Sequence, residues 1–265
     1  MRATGGQVIF PLLIKFITSE THLSIQVHPD DTIAAAAGIG TGKTEAYYIL
    51  AAEPGSVLFL GLKPDVATPE FLAACRRQDG SAAQLLRQVP VTPGTTVLVP
   101  ARTIHAPGAG ITLYEIQQPS NVTFRLDDWG RRDETGRPRA LHHDEGFAAL
   151  DPSLQPGPIE PRPMPGGQRG RDLLLATPWF ALEKISAEGK SDVLLPVIAS
   201  PHVLTCLEGS ARVITSEIEI EAGRGETIVI PADCPSTVDV PDEGEVLRGW
   251  VPSRIEFETL RETPG

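Results

Sequence analysis

The sequence is poor in several residue types, and each shortage excludes a class of protein. Only 3 of the 265 residues are cysteine, and Cys75, Cys206 and Cys234 fit neither a disulfide framework nor a metal-binding spacing. Lys and Arg total 23 against 34 Asp and Glu, which gives a formal net charge of -11 and argues against nucleic acid or an anionic membrane as a partner. No apolar run is long enough to span a membrane, and the opening stretch lacks a signal-peptide cleavage pattern. We therefore expect a cytoplasmic protein in a reducing compartment.

One spacing of turn and strand residues is present twice, 131 residues apart. In each copy a glycine ends a turn, an apolar strand follows, and a Pro-Ala pair ends that strand. The two copies run through Gly94, Pro100, Ala101, Arg102 and His105, and through Gly225, Pro231, Ala232, Asp233 and Ser236. The repeat predicts two similar β-domains, of which only the first keeps a histidine at the end of its motif.

Short alternating segments and frequent turn signals predict a mainly β protein. Residues 1–150 are expected to form one domain, with a single helical insertion near residues 68–88. Residues 151–171 contain six prolines and four glycines, which predicts a semi-extended linker. Residues 172–265 resume the strand pattern. We expect two antiparallel β-barrels or jelly rolls joined by that linker.

Polar residues in the first domain share the spacing of metal ligands. Gln26 and His28 lie two apart on a predicted strand, so both side chains leave the same face, roughly 7 Å apart. Lys43 and Glu45 repeat this spacing, and His105 ends the first motif. Any one histidine could be purely structural, but the joint pattern favours a mixed nitrogen and oxygen site of the kind that holds zinc, iron or manganese.

Four segments in this order resemble the type I mannose-6-phosphate isomerases of the cupin superfamily, in their short bacterial form. The segments are SIQVHPDD, GKTEAYYIL, VPARTIHAPGAGITLYEIQQPS and NVTFRLDDWGR. The resemblance is strong over residues 10–150 and rests on architecture alone thereafter. It implies two cupin-type jelly-roll barrels and a zinc aldose–ketose isomerase that interconverts mannose 6-phosphate and fructose 6-phosphate.

The resemblance also implies the site residues and the partners. One zinc ion per chain, or another divalent metal, would be held by Gln26, His28, Glu45 and His105. Substrate and catalytic roles would fall on Ser24, Lys43, Glu115 and Arg125. Cations beside an enediol stabilise its developing negative charge, and a base must carry the proton between two carbons, although the sequence leaves that base undecided. A sugar phosphate is the expected partner, with the chain a monomer or weak homodimer.

Two other functions stay open on the sequence. A different metal-dependent cupin enzyme such as a dioxygenase would favour iron and a His-rich site, and Gln26 counts against it. An inactive or sugar-phosphate-binding relative is the second alternative, because family members carry further strands ahead of PLLIKF that this chain lacks. The sequence thus predicts an under-built sheet edge, and lower stability and activity than in a form extended upstream. The second domain, with His202 as its one histidine, is expected to hold no catalytic metal.

Overall fold

The computed structural model describes residues 4, 8–165, 169–186, 192–241 and 243–262. Over these residues the chain is mainly antiparallel β-structure arranged in four sheets. The strands are β1 Leu13–Ser19, β2 Ile25–Val27, β3 Glu45–Ala52, β4 Val57–Leu62, β5 Leu86–Pro90, β6 Thr96–Val99, β7 His105–Pro107, β8 Ile111–Gln117, β9 Phe124–Asp127, β10 Pro158–Ile159, β11 Arg162–Pro163, β12 Arg171–Ala176, β13 Ala181–Ser186, β14 Asp192–Leu194, β15 His202–Glu208, β16 Ser210–Ile214, β17 Glu219–Gly223, β18 Thr227–Ile230, β19 Thr237–Asp239 and β20 Glu245–Trp250. The helices are α1 Asp31–Ala37, α2 Thr68–Arg77, α3 His143–Ala149 and α4 Arg254–Glu262, and a 3₁₀-helix spans Ser81–Leu85.

The chain divides into two compact units. The first unit is Leu13–Ile159, and the second combines Met1–Leu12 with Glu160–Gly265. Each unit has two sheets, and none of the four closes on itself within the described residues, so open sheets stand where the sequence predicted barrels. The short strands β10 and β11 fall inside the predicted 151–171 linker, and the predicted domain boundaries remain predictions.

The first unit places a polar and an apolar region in one interior. Its sheets have the orders β1-β8-β3-β6-β10 and β5-β4-β7-β2-β9. Ile49, Leu60 and Val97 belong to a buried apolar cluster contributed by both sheets. Glu45 has the same parity along β3 as Ile49, so its side chain enters the same interior. A polar site therefore adjoins the apolar core.

The prediction of a single helical insertion was wrong. The segment near 68–88 does contain α2 and the 3₁₀-helix, but α1, α3 and α4 are further helices. Helix α1 is short and rich in alanine, without the apolar stripe that marks a helix in a sequence. It is fixed by its ends instead, since the Asp30 carboxylate accepts a hydrogen bond from the Ile33 amide and Gly38 ends the helix at φ 66°.

The second unit repeats the strand register of the first. Its sheets have the orders β11-β12-β13-β20-β15-β18 and β14-β19-β16-β17. Strand β18 begins and ends 131 residues after β6, as the repeated motif predicts. Arg102 and Asp233 follow these strands at matching positions and both adopt left-handed backbone, with φ 73° and φ 58°. The two copies therefore share a turn geometry that non-glycine residues rarely adopt.

Two predictions concern the N-terminus and the membrane. Strand β1 lies at the edge of its sheet. Residues 1–3 and 5–7 lie outside the described residues, so the predicted effect of an upstream extension remains a prediction. Among the described residues, no helix combines the length and the apolar character that a membrane crossing requires.

Candidate active site

Three side chains with metal-ligating atoms meet in the interior of the first unit. His28, Glu45 and His105 each offer one ligand atom, and these atoms all lie within 4.8 Å of one another. Glu45 begins β3 in one sheet, whereas His105 begins β7 and His28 directly follows β2 in the other. Their side chains are 0–1% exposed. We call these three residues the His–Glu–His cluster.

Backbone carbonyl groups set the orientation of both imidazole rings. His28 Nδ1 lies 2.8 Å from the Val122 oxygen, and His105 Nδ1 lies 2.9 Å from the Thr103 oxygen. A carbonyl oxygen can only accept, so each Nδ1 carries a proton and each ring turns its Nε2 toward Glu45. The Nε2–carboxylate distances are 3.4 Å for His28 and 2.9 Å for His105. Contacts this short between a ring nitrogen and a carboxylate oxygen require a proton or a cation between the two atoms.

Lys43 supplies a positive charge at this cluster. Its ammonium group lies 2.7 Å from Glu45 Oε2 and 3.1 Å from His28 Nε2. Lys43 precedes β3 rather than lying on it, and Gly42 lets the chain pass there, because a Cβ at Gly42 would come within 2.5 Å of the Asp31 amide nitrogen. Lys43 and Glu45 are therefore close in space, as predicted, but Lys43 is positioned by the loop before β3 and not by the strand.

The electrostatics of the cluster keep its ligand atoms available. Burial is the main cause that lowers the pKa of His28, to about 4, with Lys43 acting in the same direction against Glu45. For Glu45, burial acts to raise the pKa, but Lys43 and the two histidines outweigh it and hold the pKa well below its usual range. At neutral pH the cluster thus combines a neutral His28 with an ionised Glu45, the protonation states that metal binding needs.

Ser24 and Gln26 lie beside the cluster. Gln26 pairs with His105 between β2 and β7, and its Nε2 lies 3.3 Å from His105 Nε2. The Ser24 hydroxyl donates to Gln26 Oε1 at 3.1 Å. A half-turn of the Gln26 amide would direct its oxygen to the cluster and its nitrogen to Ser24, which can also accept.

Glu115 occupies the same interior but has a different cation. Its Oε2 lies 2.6 Å from the ammonium group of Lys15, its register partner on β1. Burial, followed by the negative charge of Glu45, raises the pKa of Glu115. Glu115 also pairs in register with Tyr47, whose hydroxyl donates to Glu45 Oε1. Burial and Glu45 raise the pKa of Tyr47 well above its usual value, so this hydroxyl stays a donor.

Arg125 stands beside Gln26 but outside the His–Glu–His cluster. The two residues pair in register between β9 and β2. Arg125 donates from Nη1 to the Ala140 oxygen at 2.9 Å, while its buried Nε finds no hydrogen-bond partner among the described residues. Asp128 forms its ion pairs with Arg131 and Arg139, and its charge only partly offsets what lowers the pKa of Arg125. Burial, and then Arg139, lower the pKa of Arg125, which has no ion-pair partner in the part of the chain that the structure describes.

Comparisons with known proteins identify the family. No protein-family model matches the sequence. A mannose-6-phosphate isomerase of Streptococcus mutans is 30% identical over 225 residues, which cover 84% of this chain and 69% of the relative. A mannose-6-phosphate isomerase of Bacillus subtilis is 32% identical over 229 residues, again 84% of this chain and 69% of the relative. The chain belongs to the mannose-6-phosphate isomerase family. The crystal structure of a mannose 6-phosphate isomerase from Bacillus subtilis superposes on it with a TM-score of 0.80 at 26% identity, covering 94% of this chain and 78% of that one.

Membership of the mannose-6-phosphate isomerase family implies a bound metal, and the residues at this site fit one. The His–Glu–His cluster offers two imidazole nitrogens and a carboxylate, a donor set suited to a divalent metal. Both imidazoles have their second nitrogen held by a carbonyl, as metal-binding histidines do. The Lys43 ammonium group shows that these atoms accommodate a positive charge.

Sequence reasoning missed Lys15, Tyr47 and Gln117 of this mannose-6-phosphate isomerase site. Lys15 contacts both Glu115 and Gln117, with its ammonium group 2.5 Å from Gln117 Oε1, and Tyr47 contacts Glu45. Their parity along β1, β8 and β3 was readable, because each lies two residues from an interior neighbour. Parity cannot show which strands are adjacent, and only that adjacency brings Lys15 to Glu115.

Proposed function

We propose that this chain is an isomerase that interconverts mannose 6-phosphate and fructose 6-phosphate. The observation that carries the proposal is the buried His–Glu–His cluster with Lys43 at its ligand atoms, in a chain of the mannose-6-phosphate isomerase family. A proton moved between C1 and C2 of a sugar leaves negative charge on two oxygens. Cations placed in a water-poor interior stabilise that charge strongly.

The metal proposed for this site is one zinc ion, with Gln26, His28, Glu45 and His105 as its ligands. The support is the donor set and the Gln26 amide beside His105. When bound, a divalent metal supplies a Lewis acid that stabilises negative charge on the sugar oxygens. In this proposal the paired sheets of the first unit form a cupin-type jelly roll that carries the site, and those of the second form a jelly roll without metal.

The cationic side chains are proposed to bind the anionic parts of the substrate. Arg125 is suited to the phosphate, because its guanidinium group has no carboxylate partner among the described residues and keeps an unbonded Nε. Lys43 is suited to the sugar oxygens that become negative, since it already lies at Glu45 and His28. Ser24 fixes the Gln26 amide and can contact a sugar hydroxyl.

Glu115 is proposed to carry the proton between the two carbons. Its carboxylate would accept a proton from C2 of mannose 6-phosphate and return it to C1, while a second proton passes from the O2 hydroxyl to O1. Its raised pKa makes it a stronger base than an ordinary carboxylate. Lys15 would hold it in place and keep it ionised.

The test combines metal analysis with a coupled assay of fructose 6-phosphate formation. We expect about one metal ion per chain in the wild-type protein, and loss of both metal and turnover in His105→Ala with the fold retained. The control is His143→Ala, whose ring contacts the Leu126 oxygen outside the cluster and which should keep its metal. Full metal occupancy in His105→Ala would refute the ligand assignment. A wild-type protein with metal but without turnover would refute the activity.

The finer properties of the protein remain predictions. We expect a monomer or weak homodimer, which sedimentation at several concentrations would establish. The cytoplasm is the expected compartment, consistent with three free cysteines among the described residues, of which Cys75 and Cys206 are buried.

A further inference from the structure

The loop that follows β9 folds back and packs beside that strand. The chain leaves the strand at Asp128 and comes back through Ala140 to His142, where α3 begins at the next residue. The His142 amide donates to the Arg125 oxygen at 2.8 Å, and the Arg125 amide donates to His142 Nδ1 at 3.2 Å. The returning segment therefore lies directly against the strand residue that the proposed function assigns to the phosphate.

Asp128 holds the two ends of this loop together. Its buried carboxylate accepts from Arg139 Nε at 2.7 Å and also pairs with Arg139 Nη2, so this contact is bidentate. It pairs as well with Arg131 Nη2 at 2.5 Å. Burial acts to raise the pKa of Asp128, but the hydrogen bonds from Arg139 and Arg131 outweigh it and lower the pKa. The carboxylate is thus ionised and fully engaged.

We call Asp128 with its partners Arg131 and Arg139 the clamp, and it lies next to the contact that orients Arg125. Arg139, held by Asp128, directly precedes Ala140, whose carbonyl accepts from Arg125 Nη1 at 2.9 Å. Displacement of Arg139 would carry this carbonyl with it and release the guanidinium group. Asp128 also forms ion pairs with Arg131 and Arg139, whereas among the described residues no carboxylate forms an ion pair with Arg125.

We propose that Asp128 is a positioning residue for phosphate recognition, acting through Arg139 and Ala140 on Arg125. The proposal rests on the proposed function for the role of Arg125 but not for the geometry of the clamp. A guanidinium group that is held in place before the substrate arrives loses less conformational freedom on binding, so loss of the clamp should weaken binding of the phosphate group.

The experiment is a double-mutant cycle between Asp128→Asn and Arg125→Ala. We expect Asp128→Asn to lower kcat/KM for mannose 6-phosphate about tenfold, mostly through KM, and Arg125→Ala to lower it about 10²-fold. The double variant should match Arg125→Ala within about twofold, because Asp128 acts through that residue. Hydrogen exchange at the His142 amide should be faster in Asp128→Asn, a readout that needs no turnover.

Several controls make the outcome decisive. Asp133→Asn changes an aspartate of the same loop whose side chain bonds, within the described ranges, to Thr135 and the Arg137 amide, and it should leave kcat/KM and exchange unchanged. Asp128→Glu should recover part of the loss. If Asp128→Asn does not fold, Arg139→Gln changes the more exposed member of the pair with Asp128. It should give the same fall in kcat/KM, again mostly through KM.

The contrary results are equally definite. The proposal is overturned if Asp128→Asn leaves KM unchanged, or if its loss adds in full to that of Arg125→Ala. Absence of turnover in the wild type would refute the proposed function instead. In that case the affinity for inorganic phosphate, measured by calorimetry, still tests the clamp, which predicts weaker binding in Asp128→Asn.

Discussion

The two units have the same strand register and opposite charges at matching places. In the first unit Glu115 of β8 lies opposite Lys15 of β1, whereas in the second Arg248 of β20 lies opposite Glu183 of β13. Glu45 of β3 pairs with Val99 of β6, and His202 of β15 pairs with Ile230 of β18. The two β6 and β18 positions are 131 residues apart, like the two copies of the repeated motif, so the strands of the two units match position by position. The acidic and basic members of this pair have thus exchanged strands between the units.

The ligand positions differ in the same way. Glu45 and His202 occupy equivalent places on β3 and β15, and His105 and Ser236 end the two copies of the repeated motif. The His202 ring has both nitrogens engaged, with Arg248 Nε donating to Nδ1 at 3.0 Å and the Pro196 oxygen 3.1 Å from Nε2. A buried histidine is available to a metal only when one lone pair faces other ligands, as at His28 and His105.

The buried charged side chains of the second unit pair with one another. Arg248 is fully buried, pairs with Glu183 at 2.8 Å and stacks on the Trp250 ring at 3.9 Å. Burial, followed by the charge of Arg248, lowers the pKa of His202 to about 3, so the ring stays neutral. The comparison teaches that an inherited strand register does not determine function. The first interior directs ligand atoms toward a shared point, whereas in the second Arg248 engages both the Glu183 carboxylate and the His202 ring.

The largest effect should come from breaking the ion pair of the second unit. Glu183→Gln would leave the buried charges of Arg248 and Arg171 without their carboxylate, which costs about 3–5 kcal/mol of stability. Denaturant unfolding measures this loss. Glu245→Gln, which breaks the more exposed pair with Lys184, is the control and should cost no more than ~1 kcal/mol. Equal losses in the two variants would contradict a structural role for the buried pair.

Next in size is the effect of Arg125→Ala in the first unit. Removal of one preorganised cationic donor should lower kcat/KM for mannose 6-phosphate by about 10²-fold, with metal content unchanged. Steady-state kinetics measure this loss, and Arg224→Ala, which changes a mostly exposed arginine of the second unit, serves as control. If Arg125→Ala keeps wild-type kcat/KM, the phosphate is bound elsewhere, with Arg131 and Arg132 the next candidates.

A smaller effect is expected at Tyr47. Tyr47→Phe removes the hydroxyl that donates to Glu45 and should weaken metal binding about tenfold, within the range for groups that orient a ligand. Competition with a chelator measures the affinity. Tyr114→Phe changes a buried tyrosine on the neighbouring strand and should leave metal affinity unchanged. A Tyr47→Phe protein with wild-type metal affinity would show that Glu45 is oriented without the hydroxyl.

The smallest effect should follow Ser236→His, which restores the missing histidine of the second motif. We expect no second metal ion, because both ring nitrogens of His202 are engaged, one by Arg248 and the other by the Pro196 oxygen. Metal analysis gives the stoichiometry directly. A second stoichiometric ion would mean that one histidine was all the second unit lacked.

Sequence reasoning found those features that depend on local spacing. The interval from Gln26 to His28 and the motif ending in His105 both depend on strand parity and turn residues, and the structure places all three together. Lys15 could not be found this way, because its role comes from the pairing of β1 with β8, about 100 residues along the chain. The Asp128 contacts escaped for the same reason, since they depend on how a loop returns.

The main-chain bonds to His28 and His105 have a consequence for tolerance to mutation. The oxygens that hold the two rings belong to the backbone of Val122 and Thr103, not to side chains. Each position keeps a carbonyl group whichever residue stands there, so these two bonds do not depend on the side chains at positions 103 and 122. What would disturb them is a change in the path of the backbone, such as a residue inserted or deleted beside Thr103 or Val122. Such length changes, rather than substitutions, are therefore the event most able to end metal binding while every ligand is still present.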